Sequence, residues 1–172
     1  MRSSRLLAFA GLLLATSPLA ACSNDPLDVA PNVDLARFQG RWYEIEKLPR
    51  PTQDKCTGTQ AFYTLRGNGL DVMHECHLDT LGGALKQRSA RAEITDVSAK
   101  LSIDVGGFTG DYWILEVGEH YEYAVIGVPS RDYLWILSRT PKLDEAVLQG
   151  IEARAHAAKF DTARLERTPQ AE

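Results

Sequence analysis

Two cysteines and two histidines lie close together in the sequence and could carry chemistry. Cys56 precedes a predicted strand, and the strand that follows it contains His74, Cys76 and His77. Thiolates and imidazoles are zinc ligands, so these side chains could bind a metal; alternatively, the two cysteines could form a disulfide. Successive strand residues point to opposite faces, which directs His77 away from His74 and Cys76. The pattern therefore favours a disulfide, and we expect no metal site.

The elements that position these residues are predicted to be antiparallel strands. Residues 59–66 and 70–78 flank a Gly-Asn-Gly turn, whose residues tolerate the positive φ of a tight hairpin. A curved loop could then bring Cys56 to Cys76. The register pairs Leu65 with Leu70, Tyr63 with Val72, Ala61 with His74 and Thr59 with Cys76.

The rest of the chain predicts more strands and then one helix. Thr140 is expected to cap that helix, with Pro141 in the first helical position, and its apolar stripe is Leu143, Val147, Leu148, Ile151 and Ala155. Many short strands followed by one amphipathic helix indicate an all-β fold, a closed sheet with the helix packed outside. The further strands are expected at 85–94, 99–104, 110–117, 121–128 and 133–139.

The N-terminus predicts export. Arg2 and Arg5 precede an apolar run at 6–14, followed by small residues, as in a signal peptide. The segment "LAAC" ending at Cys22 resembles a bacterial lipobox, which implies cleavage before Cys22 and attachment of diacylglycerol and palmitate to it. Ser23, where an inner-membrane protein would carry aspartate, implies the outer membrane of a Gram-negative bacterium. The alternative is an ordinary secretory signal with Cys22 a free thiol.

Composition limits the domain organisation and the partners. We expect a signal peptide at 1–21, a polar tether at 22–34, one domain at 35–168 and a tail at 169–172. The net charge of −4 argues against a nucleic-acid partner. An exported chain also meets oxidising conditions, which favours pairing of Cys56 with Cys76.

Three segments resemble the lipocalin family. "GRWYEIEKLP", starting at Gly40, is similar to the first lipocalin signature, and "SRDYLWILSRTP" (130–141) to the last barrel strand and its exit. "YEYAVIG" (121–127) resembles the middle signature, although Gly118 stands where aspartate often begins the preceding turn. The resemblance covers about residues 33–168, and in detail the first segment is similar to bacterial outer-membrane members and apolipoprotein D.

The resemblance implies an eight-stranded up-and-down barrel with one closed end. There Trp42 would point inward beneath Arg139, with Gly40 leaving space for the chain, and the three would form a structural plug. An indole face and a guanidinium attract by stacking and cation–π contact.

Alternation and the resemblance together predict the residues that face a ligand cavity. For each residue the alternative is that its side chain fills the barrel, since alternation identifies the inner face and not the hollow. The candidates are Ala61, Tyr63, Leu65, Val72, His74, Ala124, Ile126, Tyr133, Trp135 and Leu137.

The expected function is that of a membrane-anchored carrier. The resemblance implies a fatty acid or lysophospholipid ligand, with no cofactor, in a monomer or homodimer. One alternative is an envelope scaffold that binds partners through loops 48–57 and 105–110. The other is an enzyme that isomerises its ligand, with Glu44 or Glu116 as an interior acid; the absence of Gly-x-Ser-x-Gly disfavours catalysis, and we expect none.

Overall fold

A closed antiparallel barrel forms the body of the protein. The computed structural model describes residues 26–171; the predicted signal peptide and Cys22 lie outside this range. Consecutive strands pair in chain order from β1 to β8, and β8 pairs back with β1, which closes the sheet as predicted. The barrel strands are β1 (Gly40–Lys47), β2 (Cys56–Arg66), β3 (Gly69–Leu78), β4 (Leu85–Ile94), β5 (Lys100–Val105), β6 (Phe108–Val117), β7 (Tyr123–Gly127) and β8 (Leu134–Ser138).

The β2–β3 hairpin has the predicted register at its turn end. Leu65 lies opposite Leu70, and Ala61 lies opposite His74. The predicted pairing of Thr59 with Cys76 is wrong, because the register shifts between Thr57 and Gln60. Strand β2 also begins at Cys56, earlier than predicted. Cys56 and Cys76 form a disulfide there, with their Cα atoms 5.4 Å apart.

The main helix begins later than predicted. Helix α2 (Glu145–Ala157) is capped by Asp144, whose Oδ1 accepts hydrogen bonds from the amides of Ala146 and Val147. The prediction that Thr140 caps the helix is wrong, because its hydroxyl donates to the Lys142 carbonyl within a turn. Aspartate and threonine are both favoured at the N-cap, so residue type alone does not choose between these two positions.

Helix α2 packs against the outside of the barrel, and a second core lies between them. Leu148, Ile151 and Ala155 are buried there, as predicted, whereas Val147 is exposed. Within residues 26–171, no helix is both long enough and apolar enough to cross a bilayer.

The segment predicted as a tether packs against the barrel in its described part. Leu27, Ala30 and Val33 are buried, and the amide of Ala30 donates to the carbonyl of Ile114. A short helix, α1 (Leu35–Phe38), follows and delivers Phe38 to the interior. A free tether could therefore include only residues before this packed segment.

The C-terminal residues also belong to the barrel and are not a loose tail. Strand β9 (Glu166–Arg167) pairs with the second half of β1, and the amide of Thr168 donates to the Ile45 carbonyl. The Gln170 side chain bridges the carbonyls of Glu44 in β1 and Thr59 in β2. We call residues 166–170 the C-terminal strap. It fills the gap left where β1 and β2 stop pairing with each other.

The end of the barrel opposite the disulfide is closed by the predicted plug. The Arg139 guanidinium carbon lies 3.7 Å from the centroid of the Trp42 ring, and Trp42 is fully buried. The Trp42 indole donates to the Phe38 carbonyl. Gly40 has a φ of +93°, and an added Cβ would lie 3.4 Å from Arg139 Nη1. The positive φ, more than a collision, is the reason that glycine is needed.

Arg139 also ties separate segments together through the backbone. Its guanidinium donates to the carbonyls of Arg37, Phe38, Arg41 and Tyr121, at 2.8, 3.3, 2.9 and 3.2 Å. One side chain, lying over the Trp42 ring, therefore joins α1, β1 and the β6–β7 loop.

We predict that Arg139→Leu lowers the free energy of unfolding by about 3 kcal/mol, because charge-assisted hydrogen bonds and the cation–π contact are lost together. Arg139→Lys should recover only part of this, since an ammonium lacks the planar fork. Urea denaturation of both variants measures the effect. Exposed Arg164→Leu is the matched control, and an equal loss in that control would contradict the role given to Arg139.

Candidate functional site

A cavity of about 490 Å³ opens at the end of the barrel opposite the plug. Its rim comes from the β1–β2, β5–β6 and β7–β8 connections, and its walls from the inner faces of the strands. The apolar part of the wall is Ile103, Val105, Phe108, Tyr112, Val128, Tyr133 and Trp135. The polar part includes Arg50, Gln53, Thr59, His74 and Arg88. An apolar pocket with a few polar groups is typical of a site for a small organic ligand.

The predicted ligand residues separate into three groups. His74, Tyr133 and Trp135 line the cavity. Six others are packed with Trp42 in the interior core, towards the closed end of the barrel: Ala61, Tyr63, Val72, Ala124, Ile126 and Leu137. Leu65 is 37% exposed and does not line the cavity, so its assignment to the inner pocket is wrong. Leu65 lies at the closed end of the barrel, where the strand leaves the core. Its backbone amide donates a hydrogen bond to the side-chain oxygen of Gln39.

Several wall residues were missed by the sequence reasoning. Ile103, Val105 and Tyr112 continue the inner face on β5 and β6, and alternation from buried Leu101 and Ile114 could have identified them. Arg50 could not be found in this way, because it lies in a loop, whereas Thr59 shares the alternating face of Ala61 and Tyr63 and was not included among the candidates.

A pair of tyrosines lies at the base of the cavity. The hydroxyls of Tyr63 and Tyr112 are hydrogen-bonded at 2.5 Å. Burial raises the pKa of Tyr112 to about 12 and raises the pKa of Tyr63 well above its usual range. Both phenols are therefore neutral at physiological pH, and the base of the cavity carries hydroxyl groups but no charge there.

Glu44 is buried within the wall and is held by the C-terminal strap. Its carboxylate accepts hydrogen bonds from Thr168 at 2.6 Å and from Gln53 at 2.7 Å. Burial raises its pKa, and the two hydrogen bonds oppose that rise. The Gln53 side chain in turn accepts from the indole of Trp135 at 2.9 Å. A hydrogen-bonded chain thus links the strap to the cavity wall.

Glu116, the other candidate interior acid, lies outside the barrel beside α2. Burial alone would raise its pKa, but hydrogen bonds from Arg154 and Tyr123 outweigh burial and hold the pKa below its usual value. The enzyme alternative therefore loses one of its two proposed acids. The other, Glu44, already has both carboxylate oxygens hydrogen-bonded to protein groups.

The basic groups of the wall are close to one another. The Arg50 guanidinium carbon lies 4.8 Å from the Tyr133 ring centroid and 5.1 Å from that of Trp135. Burial, together with the charges of Arg50 and Arg88, lowers the pKa of His74 to about 4. His74 is therefore neutral at pH 7, and the positive charge of the wall belongs to Arg50, Arg88 and Lys86.

The alternative of a metal site finds no support in the cysteine–histidine region. Both cysteines are in the disulfide, and the His77 ring lies 3.0 Å from the Gly83 carbonyl, half-buried rather than solvated as expected of a surface strand. Within residues 26–171, no group of three or more potential metal ligands is present.

The barrel, the plug and the cavity are those of a lipocalin, and the chain belongs to this family. The family's model, described as a lipocalin-like domain, matches residues 33–170. Membership supports binding or transport of a small hydrophobic ligand, and lipocalins are generally binding proteins rather than enzymes.

The relatives include those that the sequence motifs resemble. Temperature-induced lipocalin-1 of Arabidopsis thaliana is 33% identical, covering 85% of this chain and 84% of that protein. Outer membrane lipoprotein Blc of Escherichia coli K12 is 31% identical, covering 94% and 95%. Apolipoprotein D of Rattus norvegicus is 30% identical, covering 96% and 93%. Lobster apocrustacyanin A1, a solved structure, has a TM-score of 0.66 at 21% identity, covering 80% and 79%, and supports the fold.

We predict that His74 contributes a loss of stability as the pH is lowered from about 6.5 to about 4, because the unfolded chain protonates His74 in this range and the folded chain does not. Glu46, whose pKa burial raises to about 7, contributes with the opposite sign, so the test compares variants. Relative to the parent, the change in urea midpoint from pH 7 to pH 4.5 should shift towards greater stability at pH 4.5 in His74→Leu. Exposed His156→Leu is the control. An unchanged pH dependence in His74→Leu would contradict the assignment.

Proposed function

We propose that this protein carries a fatty acid or a lysophospholipid in the barrel cavity. The observation that supports this most directly is the hollow of about 490 Å³ above the packed core, with a wall that is mainly aromatic and aliphatic. Each methylene group that leaves water for such a wall contributes about 0.8 kcal/mol, so an acyl chain gains affinity with its length. The plug closes the other end, so the ligand enters and leaves by the mouth.

The loops suggested for the scaffold alternative are part of this mouth. Thr52 and Gln53 from the first loop and Phe108 from the second line the cavity. Phe108 is 84% exposed, which suits an entrance that meets apolar ligands. These loops therefore favour the carrier over a scaffold.

The proposed carrier is anchored to the outer membrane by lipid attached to Cys22. Support comes from the lipobox-like sequence and from the relatives named outer membrane lipoproteins. Because residues from Leu27 onward pack on the barrel, only the few residues between Cys22 and Pro26 would separate the barrel from the membrane surface. A short connection would keep the mouth near the lipids that supply its ligand.

Blocking the cavity should remove ligand binding. Val105→Trp places a large side chain in the wall and should weaken binding of a fluorescent fatty acid at least about tenfold, by overlap with the acyl chain. Val97→Trp is the matched control, because Val97 is 47% exposed in the β4–β5 connection at the closed end. Fluorescence titration measures both, and equal affinity in the two variants would contradict the proposed site.

Anchoring has its own test. Cys22→Ser should abolish incorporation of labelled palmitate in bacterial cells and release the protein from the membrane fraction. The double variant Cys56→Ser and Cys76→Ser should keep the label, which separates lipid attachment from general loss of a cysteine. Label retained in Cys22→Ser would show that the anchor was assigned wrongly.

A further inference from the structure

Four basic side chains line a cavity whose wall is mainly apolar: Arg50, His74, Lys86 and Arg88. His74 on β3 lies directly opposite Arg88 on β4, and paired residues point to the same face of a sheet. Ala61 and Trp42 continue this row across β2 and β1, and both are buried inside the barrel. Arg88 is therefore an arginine on the inner face of a strand, where apolar residues are the rule.

Arg50 reaches the same wall from the β1–β2 connection. Its guanidinium stacks on Tyr133 and Trp135, and it lines the cavity together with His74 and Arg88. Burial lowers the pKa of Arg50, so its surroundings disfavour an isolated positive charge. An arginine remains protonated even so, and its charge is best stabilised by an anion.

Neither arginine forms an ion pair with any carboxylate in the described part of the chain. Other arginines do so: Arg91 pairs with Asp71 on the outer side of β4, and Arg154 pairs with Glu116. The cavity lining also contains two acidic side chains and a further cation: Glu75 accepts a hydrogen bond from Gln87, Asp111 is exposed to solvent, and Lys86 donates to the Thr52 carbonyl. Arg88 is exposed to solvent and Arg50 is half-buried, so the cost of a charge without a carboxylate partner falls mainly on Arg50, and a bound anion would offset that cost.

A buried hydroxyl beside these arginines is also without a partner. Thr59 is 3% exposed and lines the cavity, and its Oγ1 makes no hydrogen bond within residues 26–171. Buried hydroxyls in native proteins are almost always satisfied. The unused donor in a cavity that also holds two unpaired guanidinium groups points to an occupant with oxygen acceptors.

We propose that the cavity recognises the anionic headgroup of its ligand, through Arg50 and Arg88, with Thr59 as a further donor. This inference rests on the proposed carrier function and specifies the ligand class: an acyl or alkyl chain that ends in anionic oxygens. The hydrocarbon lies against the apolar wall formed by residues such as Ile103 and Tyr133. A fatty-acid carboxylate and a lysophospholipid phosphate both provide this chemistry.

The test compares three ligands with the same chain and different headgroups. Hexadecanoate, hexadecyl phosphate and hexadecanol compete against the neutral fluorescent probe N-phenyl-1-naphthylamine for the purified protein. Both anions should bind at least about tenfold more tightly than the alcohol, since a hydrogen bond to a charged group typically contributes this much. A preference for the carboxylate indicates a fatty acid, and a preference for the phosphate indicates a lysophospholipid.

Substitutions of the two arginines test whether they cause the preference for anionic ligands. R50Q and R88Q should each weaken binding of the anions about tenfold and leave hexadecanol unchanged. R50K, which keeps the charge, should retain most of the affinity for the anions. R91Q is the matched control, because Arg91 is on the same strand as Arg88 but pairs with Asp71 outside the cavity. Melting temperatures confirm that the variants fold.

The outcomes distinguish this inference from the carrier proposal beneath it. Equal affinity for the alcohol and the anions, or an equal loss in R91Q, overturns the headgroup site while the cavity still binds hydrophobic ligands. A protein that binds neither the probe nor any of the three ligands overturns the carrier function and the headgroup site together.

Discussion

The contact between Trp42 and Arg139 determines which end of the barrel is closed. Arg139 follows β8, and its guanidinium lies over an indole from β1, so the contact forms only when the sheet has closed on itself. The same guanidinium holds carbonyls of α1 and of the β6–β7 loop. Since this end is packed, the hollow can lie only towards the disulfide end, and the ligand site follows from the plug.

The sequence predicted those parts of the fold that depend on neighbouring residues. The Gly-Asn-Gly turn and the alternation on either side gave the β2–β3 register, and the tryptophan signature gave the plug. The helix start was mistaken because Thr140 and Asp144 are both good caps, and only packing chooses between them. The docking of residues 26–34 and of the C-terminal strap depends on partners far away in the sequence, which no local pattern records.

The sequence predicted which strand faces point into the barrel but not where the cavity lies, for a geometric reason. Alternation tells which face of a strand is inside, but the volume left over depends on the sizes of all the side chains at one level. Ala61 is small, yet it lies beside Trp42 and no hollow forms there. Tyr133 and Trp135 are large, yet they border the hollow, because the residues at their level leave room. The inner-facing arginine on β4 was visible in the same alternation but was not predicted as a site residue.

The C-terminal strap makes the flank of the barrel depend on the end of the chain. Thr168 contacts Glu44 across 124 positions of sequence, and the strap lies where β1 and β2 no longer pair with each other. A chain that ended before Glu166 would still contain all eight barrel strands, but the second half of β1 would lose its β9 partner and Glu44 would lose the Thr168 hydrogen bond. An intact wall therefore requires the last few residues as well as the eight strands.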